Sequence, residues 1–572
     1  MAVLTPSADL AASHRSELDD AVAGLQERAP VWLELALERK IELAASALEG
    51  SLRVADRQVA AALAAKGLED DSPLAGEDWF AGPYIQVRSL RLLIQTLERI
   101  GRSGGVDVPA KLVRQLANGQ VAVRVFPDDL LDGLLYRGFT ADVWMEPGVT
   151  PDNLSENVGL VHRRTDATPG VALVLGAGNV ASIPTLDAIY KLYAEGCVVL
   201  IKLNPVNEYL GPFIEEAFAE LIEAGFLKLA YGAAATGSYL CHHEGIDEVH
   251  ITGSERTHDM IVFGGGEEGA ARKRDNRPLL GKPITSELGN VSPIIVVPGH
   301  WSDSDLQFHA ENLATQMTQN GGFNCNAVKV IVTHRDWPQR RQLLGRLRKV
   351  LTRLPPRPAY YPGAEERYER FTAAYPDAER LGVRRPGVVP PALVADVPAD
   401  DVGPAFREES FCAFTVETAL AGSDAEEFVR SAVDFCNHRL HGTLNAGLVV
   451  QPRSRRELDS AIERAIEDLR YGSVAVNHWP AMSYGLGSTP WGAFPGQPLN
   501  DVQSGRGFVH NTWLFERPQK SVIEGPFRVL PKPAWFVTHT AADRVGRELT
   551  RLEADRNPLR LPAILWNAVR GG

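Results

Sequence analysis

The segment Asn320–Val330, NGGFNCNAVKV, sets one cysteine between two asparagines, behind two glycines and ahead of a β-branched run. Nothing around Cys325 supplies a disulfide partner or a second metal ligand, so its chemistry is that of a lone thiol. A thiolate attacks a carbonyl and leaves a thioester that is still reactive, which divides one hard step into two easier ones. The flanking glycines let backbone approach a reacting carbonyl closely. No lysine or histidine lies beside Cys325 to take its proton, so the base has to come from elsewhere in the chain.

A second candidate is VALVLGAGNVA, a strand followed by G-x-G-x-x-A from Gly176 to Ala181 and then a helix. It has the form of a dinucleotide fingerprint, in which glycines admit a pyrophosphate to a helix N-terminus. That fingerprint asks for a carboxylate at the end of the next strand, where CVVLIKLNP offers Lys202 and Asn204 instead. The rival reading gives the leading role to Asn179, an amide donor on a tight loop at a strand's carboxyl edge. A third cluster, CHHEGIDEVH, holds Cys241, His242, His243 and His250, but it lacks zinc-site spacing and runs into a strand, so structural roles are expected.

The elements that must position these groups follow from composition and periodicity. The chain has 572 residues, 44% hydrophobic, with net charge −13. That length buries large cores, and that charge disfavours a nucleic-acid partner. No apolar run is long enough to span a bilayer, and the start lacks a basic-then-apolar leader, so no membrane partner or secretion is expected. Five scattered cysteines with no C-x-x-C pair predict no disulfide framework and suit a cytoplasmic location. Residues 30–102 carry helical periodicity, and 171–260 alternate strand and helix, which implies a parallel α/β sheet. The glycine-rich, cationic stretch 264–283 reads as a solvated surface loop, and a second α/β unit starts at ITSELGNVSPIIVVP.

Taken in series, the motifs resemble those of the aldehyde dehydrogenase superfamily. GNVASIPTLDAIYKLYAEGCVVLIK looks like its segment from active-site asparagine to cofactor lysine, which maps Asn179 and Lys202. HITGSERT resembles its phosphate-binding turn (Gly253, Ser254), and ITSELGNVSP its general-base signature (Glu287). NGGFNCNAVK resembles the nucleophile box around Cys325, and FREESFCAF the nicotinamide-ribose segment, which maps Glu409 and Phe411. VNHWPAMSYGLGSTPWGAFPG more loosely resembles the later pocket segment, with Asn477 as its asparagine and Trp479, Tyr484 and Trp491 suggesting an apolar or aromatic pocket.

The resemblance implies an aldehyde-dehydrogenase-like α/β fold with two parallel-sheet domains plus a small β oligomerisation element. The cofactor-binding domain is expected over 1–137 and 168–286, and the catalytic domain over 287–500. Oligomerisation strands are expected over 138–167 and 510–530, with a C-terminal extension over 531–572. It also implies oxidation of a small-molecule aldehyde with NAD or NADP, no metal, and assembly as a homodimer or homotetramer by sheet extension. In that scheme Cys325 is the nucleophile, Glu287 the general base and Asn179 an oxyanion donor, while Lys202, Gly253, Ser254, Glu409 and Phe411 hold the cofactor. The alternatives are an acyl-thioester reductase or CoA-acylating dehydrogenase, and a non-catalytic nucleotide-binding scaffold. Two departures bear on the cofactor. Pro205 stands where the family has a ribose-binding glutamate, which leaves NADP as plausible as NAD, and His258 stands where glycine is usual.

Overall fold

The computed structural model describes residues 13–106, 108–164 and 166–572. Among them, a six-stranded sheet and an eleven-stranded sheet organise the fold. The apolar runs of the sequence become the inner strands of the first sheet, Val171–Leu175, Val198–Lys202 and Glu248–Gly253. The continuous hydrophobicity of the first two reflects a parallel sheet covered on both faces, whereas Glu248–Gly253 alternates in type yet is buried from Val249 to Thr252. Val171–Leu175 is central. Val198–Lys202 and then Leu227–Ala230 extend the sheet to one side, while Glu248–Gly253 and Ile284–Leu288 extend it to the other. The strand order therefore reverses beside Val171–Leu175, and the crevice at the carboxyl ends opens there.

The second sheet has a parallel centre of Ser292–Val296, Val328–His334, Phe414–Leu420, Asn445–Val449 and Ser473–Val476. Two segments expected to serve oligomerisation join this sheet within the chain. Pro518–Glu524 lies parallel to Ser473–Val476 and antiparallel to Thr140–Met145, which pairs in turn with Val121–Phe126. The sheet ends in Val113–Gln115 and Glu379–Arg380, three and two residues long. Edges so short are poor templates for sheet extension across subunits. The expected boundaries also move. Strand Ile284–Leu288 carries Glu287 in the first sheet, so the chain changes sheets after it, and Gly505–Arg506 returns to pair with that strand.

The stretch read as a solvated loop is partly helix, Gly266–Arg274. Its Lys273 is not free in solvent: it reaches Glu255 at 3.0 Å and Asp259 at 2.6 Å on the preceding helix. No helix among the described residues is long and apolar enough to cross a membrane.

The C-terminal segment is packed into the body of the fold. Helix Ala542–Asp555 lies against the short helix Ala75–Trp79 so closely that a Cβ on Gly76 would come within 2.3 Å of Ala542. Glu553 is fully buried between Arg88 at 2.6 Å and Arg91 at 2.8 Å, both on helix Ile85–Ser103, and Arg88 also grips Asp132 at 2.7 Å. Removing one member of such a set strands the opposite charges in a medium of low dielectric. Glu553→Ala is expected to destabilise the protein by about 3–5 kcal/mol, read as a drop in Tm or in denaturant midpoint. A shift within about 0.5 kcal/mol would contradict the ion network.

Candidate active site

Three segments carry the groups singled out above, and the two sheets present them from opposite directions. Asn179 follows Val171–Leu175, and Glu287 lies near the end of Ile284–Leu288, both at the carboxyl edge of the first sheet. Cys325 sits on the loop that enters the second-sheet strand Val328–His334. The loop is forced into shape by three successive left-handed residues, Asn320 (φ 55°), Gly321 (φ 68°) and Gly322 (φ 77°). A Cβ on Gly322 would stand 2.6 Å from the backbone between Cys412 and Ala413, so only glycine fits there. Buried Lys329 ties the same loop down by donating to the carbonyls of Gly322 (3.3 Å) and Cys412 (2.8 Å).

Asn179, Glu287 and Cys325 line one cavity of about 120 Å³. The Asn179 side-chain amide donates to the Phe323 carbonyl at 2.9 Å, which spends one of its two N–H groups. The Asn320 amide donates to the Asn179 carbonyl at 2.9 Å and so locks the two loops together. The Cys325 backbone N–H finds no backbone acceptor among the described residues. One Asn179 amide N–H and the Cys325 backbone N–H are thus left over at this cavity.

The chamber is electrostatically hostile to charge. Burial pushes the Glu287 carboxyl up to about 8; the negative charges of Asp187 and Glu409 add to this, and the neighbouring Cys325 thiol and Trp491 indole pull the other way. One Glu287 oxygen has no hydrogen-bond partner. Burial also lifts the Cys325 thiol well above its ordinary value, with Glu287 and Glu409 contributing in the same direction. Burial raises Glu409 to about 7, with Lys329 opposing.

Beneath Glu287 lies a network that sequence reasoning missed. Cross-strand register sets Thr252 opposite Glu287 and His250 opposite Thr285. Asp187, fully buried, accepts from the Thr252 hydroxyl at 2.8 Å and meets His510 at 3.2 Å and His250 at 3.4 Å. Burial would raise its carboxyl, but the two histidines outweigh that and hold it far below the carboxylate range. His250, one of the residues of the supposed metal cluster, belongs here, with its Nδ1 2.9 Å from the Thr285 hydroxyl.

The residues mapped to a cofactor gather at the same sheet edge. Lys202 ends its strand level with Leu175, is 7% exposed, and makes no hydrogen bond or ion pair among the described residues. Gly253 and Ser254 are exposed at the N-terminus of helix Glu255–Phe263, where Ser254 caps the Thr257 N–H at 3.2 Å. His258 is fully buried and leaves that terminus open. The one carboxylate of its first turn, Glu255, is held by His441 and Lys273. A dinucleotide fits this donor set: an unpartnered ammonium and an open helix N-terminus both suit phosphate oxygens. Glu409 crosses Gly289 and reaches the Asn290 N–H at 3.3 Å instead of pairing with Arg407 on the surface. Phe411 (φ 41°) packs on Tyr361 with ring centroids 4.9 Å apart.

Asn477 is not at the cavity. Its side chain staples Val450 (2.8 Å) to Gly525 (3.1 Å), and Trp479, two residues on, is the wall residue. Tyr136, Phe80 and Tyr84, which also line the cavity, went unread, because they come from segments whose motifs gave no sign of the site.

Fold and site together define a two-sheet α/β protein with a cysteine–carboxylate–amide centre beside the open carboxyl edge of a parallel sheet. Residues 151–358 match the model of the aldehyde dehydrogenase family. Human 4-trimethylaminobutyraldehyde dehydrogenase is 29% identical over 170 residues, covering 28% of this chain and 30% of that protein. The matched region thus spans under a third of that relative's length. Among solved structures, an aldehyde dehydrogenase C mutant from Pseudomonas syringae, complexed with NAD+ and octanal, aligns with TM-score 0.59 at 17% identity, covering 90% of this chain and 89% of that one. NADP-dependent glyceraldehyde-3-phosphate dehydrogenase from Bacillus halodurans, complexed with NADP, aligns with TM-score 0.58 at 18% identity, covering 90% and 92%. Residues 151–358 thus resemble the aldehyde dehydrogenase family, and the fold is the one that these solved structures share.

The charges around the thiol make a direct prediction. Alkylation of Cys325 by iodoacetamide in the cofactor-free protein should be slow at pH 7 and rise only in the alkaline range. Glu287→Gln removes a neighbouring negative charge and should bring that rise down by about one pH unit. Mass spectrometry of residue 325 against pH reads both curves, and coincident curves would refute the pairing.

Proposed function

We propose that this protein oxidises an aldehyde to the carboxylic acid with NAD or NADP, through a thioester on Cys325. The observation that carries the reading is the shared cavity of Cys325, Glu287 and Asn179. The thiol proton passes to Glu287 as sulfur bonds the aldehyde carbon. The resulting oxyanion receives the Cys325 backbone N–H and the free Asn179 amide N–H, each such donor being worth on the order of 3 kcal/mol of barrier. A bound nicotinamide ring supplies the hydride acceptor. Hydride loss converts the tetrahedral carbon to a thioester. Glu287 releases the proton it took from the thiol to solvent and, again a carboxylate, takes a proton from water as that water attacks the thioester. Collapse breaks the C–S bond, the sulfur recovers that proton from Glu287, and the acid leaves. Lys202, Gly253 and Ser254 would hold the phosphates, with Glu409 and Phe411 at the nicotinamide end.

Water rather than a second thiol is the acyl acceptor in this reading, because a base stands beside the sulfur. The nearest carboxylate to Lys202, Glu208, is occupied by the Gly232 N–H at 2.9 Å, which leaves nothing at Pro205 to reject a 2′-phosphate. NAD and NADP therefore both remain in the proposal. Any homodimer or homotetramer would meet through faces other than a long open sheet edge.

The test is single-turnover and steady-state oxidation with each cofactor, with and without CoA. Acid formation and NAD(P)H release without CoA are expected, and Cys325→Ala should abolish both. Glu287→Gln should slow both the first-turnover burst and deacylation, deacylation by about 10²–10⁴-fold. Because the base form of Glu287 is required and its carboxyl sits at about 8, wild-type deacylation should climb as pH rises through that value. The limb should vanish in Glu287→Gln. Turnover surviving Cys325→Ala, or acyl transfer only to CoA, would overturn the reading.

A further inference from the structure

The cavity that holds the thiol has one wall with no counterpart among the motifs. Trp535, from the C-terminal segment, lines it together with Phe80 and Tyr84 from the N-terminal helices and Tyr136 from the loop before Thr140–Met145. Trp535 lies nearly parallel to Tyr136, 18° between planes with centroids 6.3 Å apart, and the Tyr136 hydroxyl is 2.7 Å from that of Tyr84. Trp479 and Trp491 close the side near the reacting groups. The Trp479 indole N–H donates to the Asn326 carbonyl at 2.7 Å, which fixes the ring against the nucleophile loop.

The Trp535 wall is held firmly. Just beyond it, the Val537 N–H donates to the Thr315 hydroxyl at 3.1 Å and the Thr538 hydroxyl donates to Glu311 at 2.5 Å, while Lys532 pairs with Glu311 at 2.9 Å. Farther on, the buried Glu553–Arg88–Arg91 set anchors the helix that follows. A wall pinned at both ends presents one shape and selects what fits it.

The chemistry of the lining decides what that is. No lysine, arginine or histidine faces the cavity, and its one ionisable carboxyl, Glu287, is at the reacting end. A substrate anion would meet no counter-charge. A quaternary ammonium would find aromatic faces, but it would enter an aromatic-walled pocket without a carboxylate at the far wall, a desolvation that aromatic contact alone offsets poorly. A neutral ring loses little hydration and stacks or packs edge-on against these walls. The volume of about 120 Å³ is close to the roughly 150 Å³ of an engineered apolar cavity that admits benzene.

We propose that Trp535, carried by the C-terminal segment 531–572, forms a specificity-determining wall of this site, and that the cavity takes an uncharged aryl aldehyde of about one ring, packed against that ring. The substrate class rests on the oxidation proposed above, while the assignment of the cavity does not.

The test separates the two. Binding of benzaldehyde, butyraldehyde, succinate semialdehyde and 4-trimethylaminobutyraldehyde to Cys325→Ala is measured by calorimetry, a readout that needs no turnover. Benzaldehyde is expected to bind at least about tenfold more tightly than each of the others. Equal or tighter binding of a charged or aliphatic aldehyde would overturn the proposal, whether or not any aldehyde is oxidised. With Cys325 present, Trp535→Ala opens the far wall and should raise the kcat/KM ratio of 2-naphthaldehyde to benzaldehyde by about tenfold or more, while Trp535→Phe keeps it near wild type. If Trp535→Ala does not fold, Trp535→Leu carries the same comparison. An unmoved ratio in the folded variant would overturn the role of the C-terminal wall. Benzaldehyde binding without oxidation of any aldehyde would refute the thioester reading and leave the cavity assignment standing.

Discussion

The structure turns on Asn320. Its left-handed backbone starts the bend that delivers Cys325, and its side chain is the knot between otherwise separate parts of the chain. The amide nitrogen binds the Asn179 carbonyl, while the amide oxygen accepts from Lys66 at 3.0 Å and from the Tyr360 hydroxyl at 3.0 Å. Its backbone N–H donates to Glu77 at 2.6 Å. One residue thereby joins the nucleophile loop, the glycine loop, the N-terminal helices and the 355–363 segment. Lys66 is itself paired with buried Asp78 at 2.6 Å, so the knot is anchored on a charge and not only on neutral amides. Hydrogen bonds to charged groups are the stronger kind, and in a buried network each one polarises the next.

That anchoring explains how the site tolerates its own electrostatics. Glu287, Glu409 and Asp187 crowd one small volume, and the thiol sits among them. Asp187 is stabilised as a carboxylate by His250, His510 and Thr252, so it is a fixed charge, whereas Glu287 keeps one oxygen unpartnered and is driven toward its neutral form. Two neighbouring carboxyls thus take different roles because one is fully hydrogen-bonded and the other is not, which is how environment divides acid from base. From a neutral Glu287 beside a neutral thiol, loss of the carboxyl proton to solvent creates the base, and transfer of the thiol proton to that carboxylate then creates the nucleophile.

The centre of this arrangement was legible in the sequence. Cys325, Glu287 and Asn179 lie in short motifs whose glycines and strand runs dictate local geometry, and the alternation of strand and helix over 171–260 fixes the sheet that carries Lys202 and Ser254. The nearby insertion was misread because glycine and clustered cations suggest a solvated loop, while burial of Lys273 between two carboxylates depends on a packing partner that local pattern does not encode. Asn477 was mapped to the pocket through its neighbours; its φ of 72° shows a turn residue whose amide serves the backbone on either side. His250 was expected to be structural rather than a metal ligand, and its contacts with Asp187 and Thr285 are of that kind; the partners themselves lie across the sheet, where sequence proximity does not show them.

The far wall of the cavity was beyond sequence reasoning for a deeper physical reason. Phe80, Tyr84, Tyr136 and Trp535 are spread over more than four hundred residues, and none stands in a motif, because an aromatic wall needs only bulk and a fixed backbone beneath it. Catalysis constrains residue type and spacing tightly, since proton transfer and oxyanion donation fail with small displacements. Recognition of an apolar substrate constrains only shape and the absence of charge, which many residue combinations satisfy. The reacting half of the chamber is therefore written locally in the chain, while the selecting half exists only once Glu553 has drawn the C-terminal helix against Arg88 and Arg91. Stability and specificity are joined at that point: the ion network that secures the tail also holds in place the segment that carries Trp535, and loosening it would blur the cavity before it unfolded the protein.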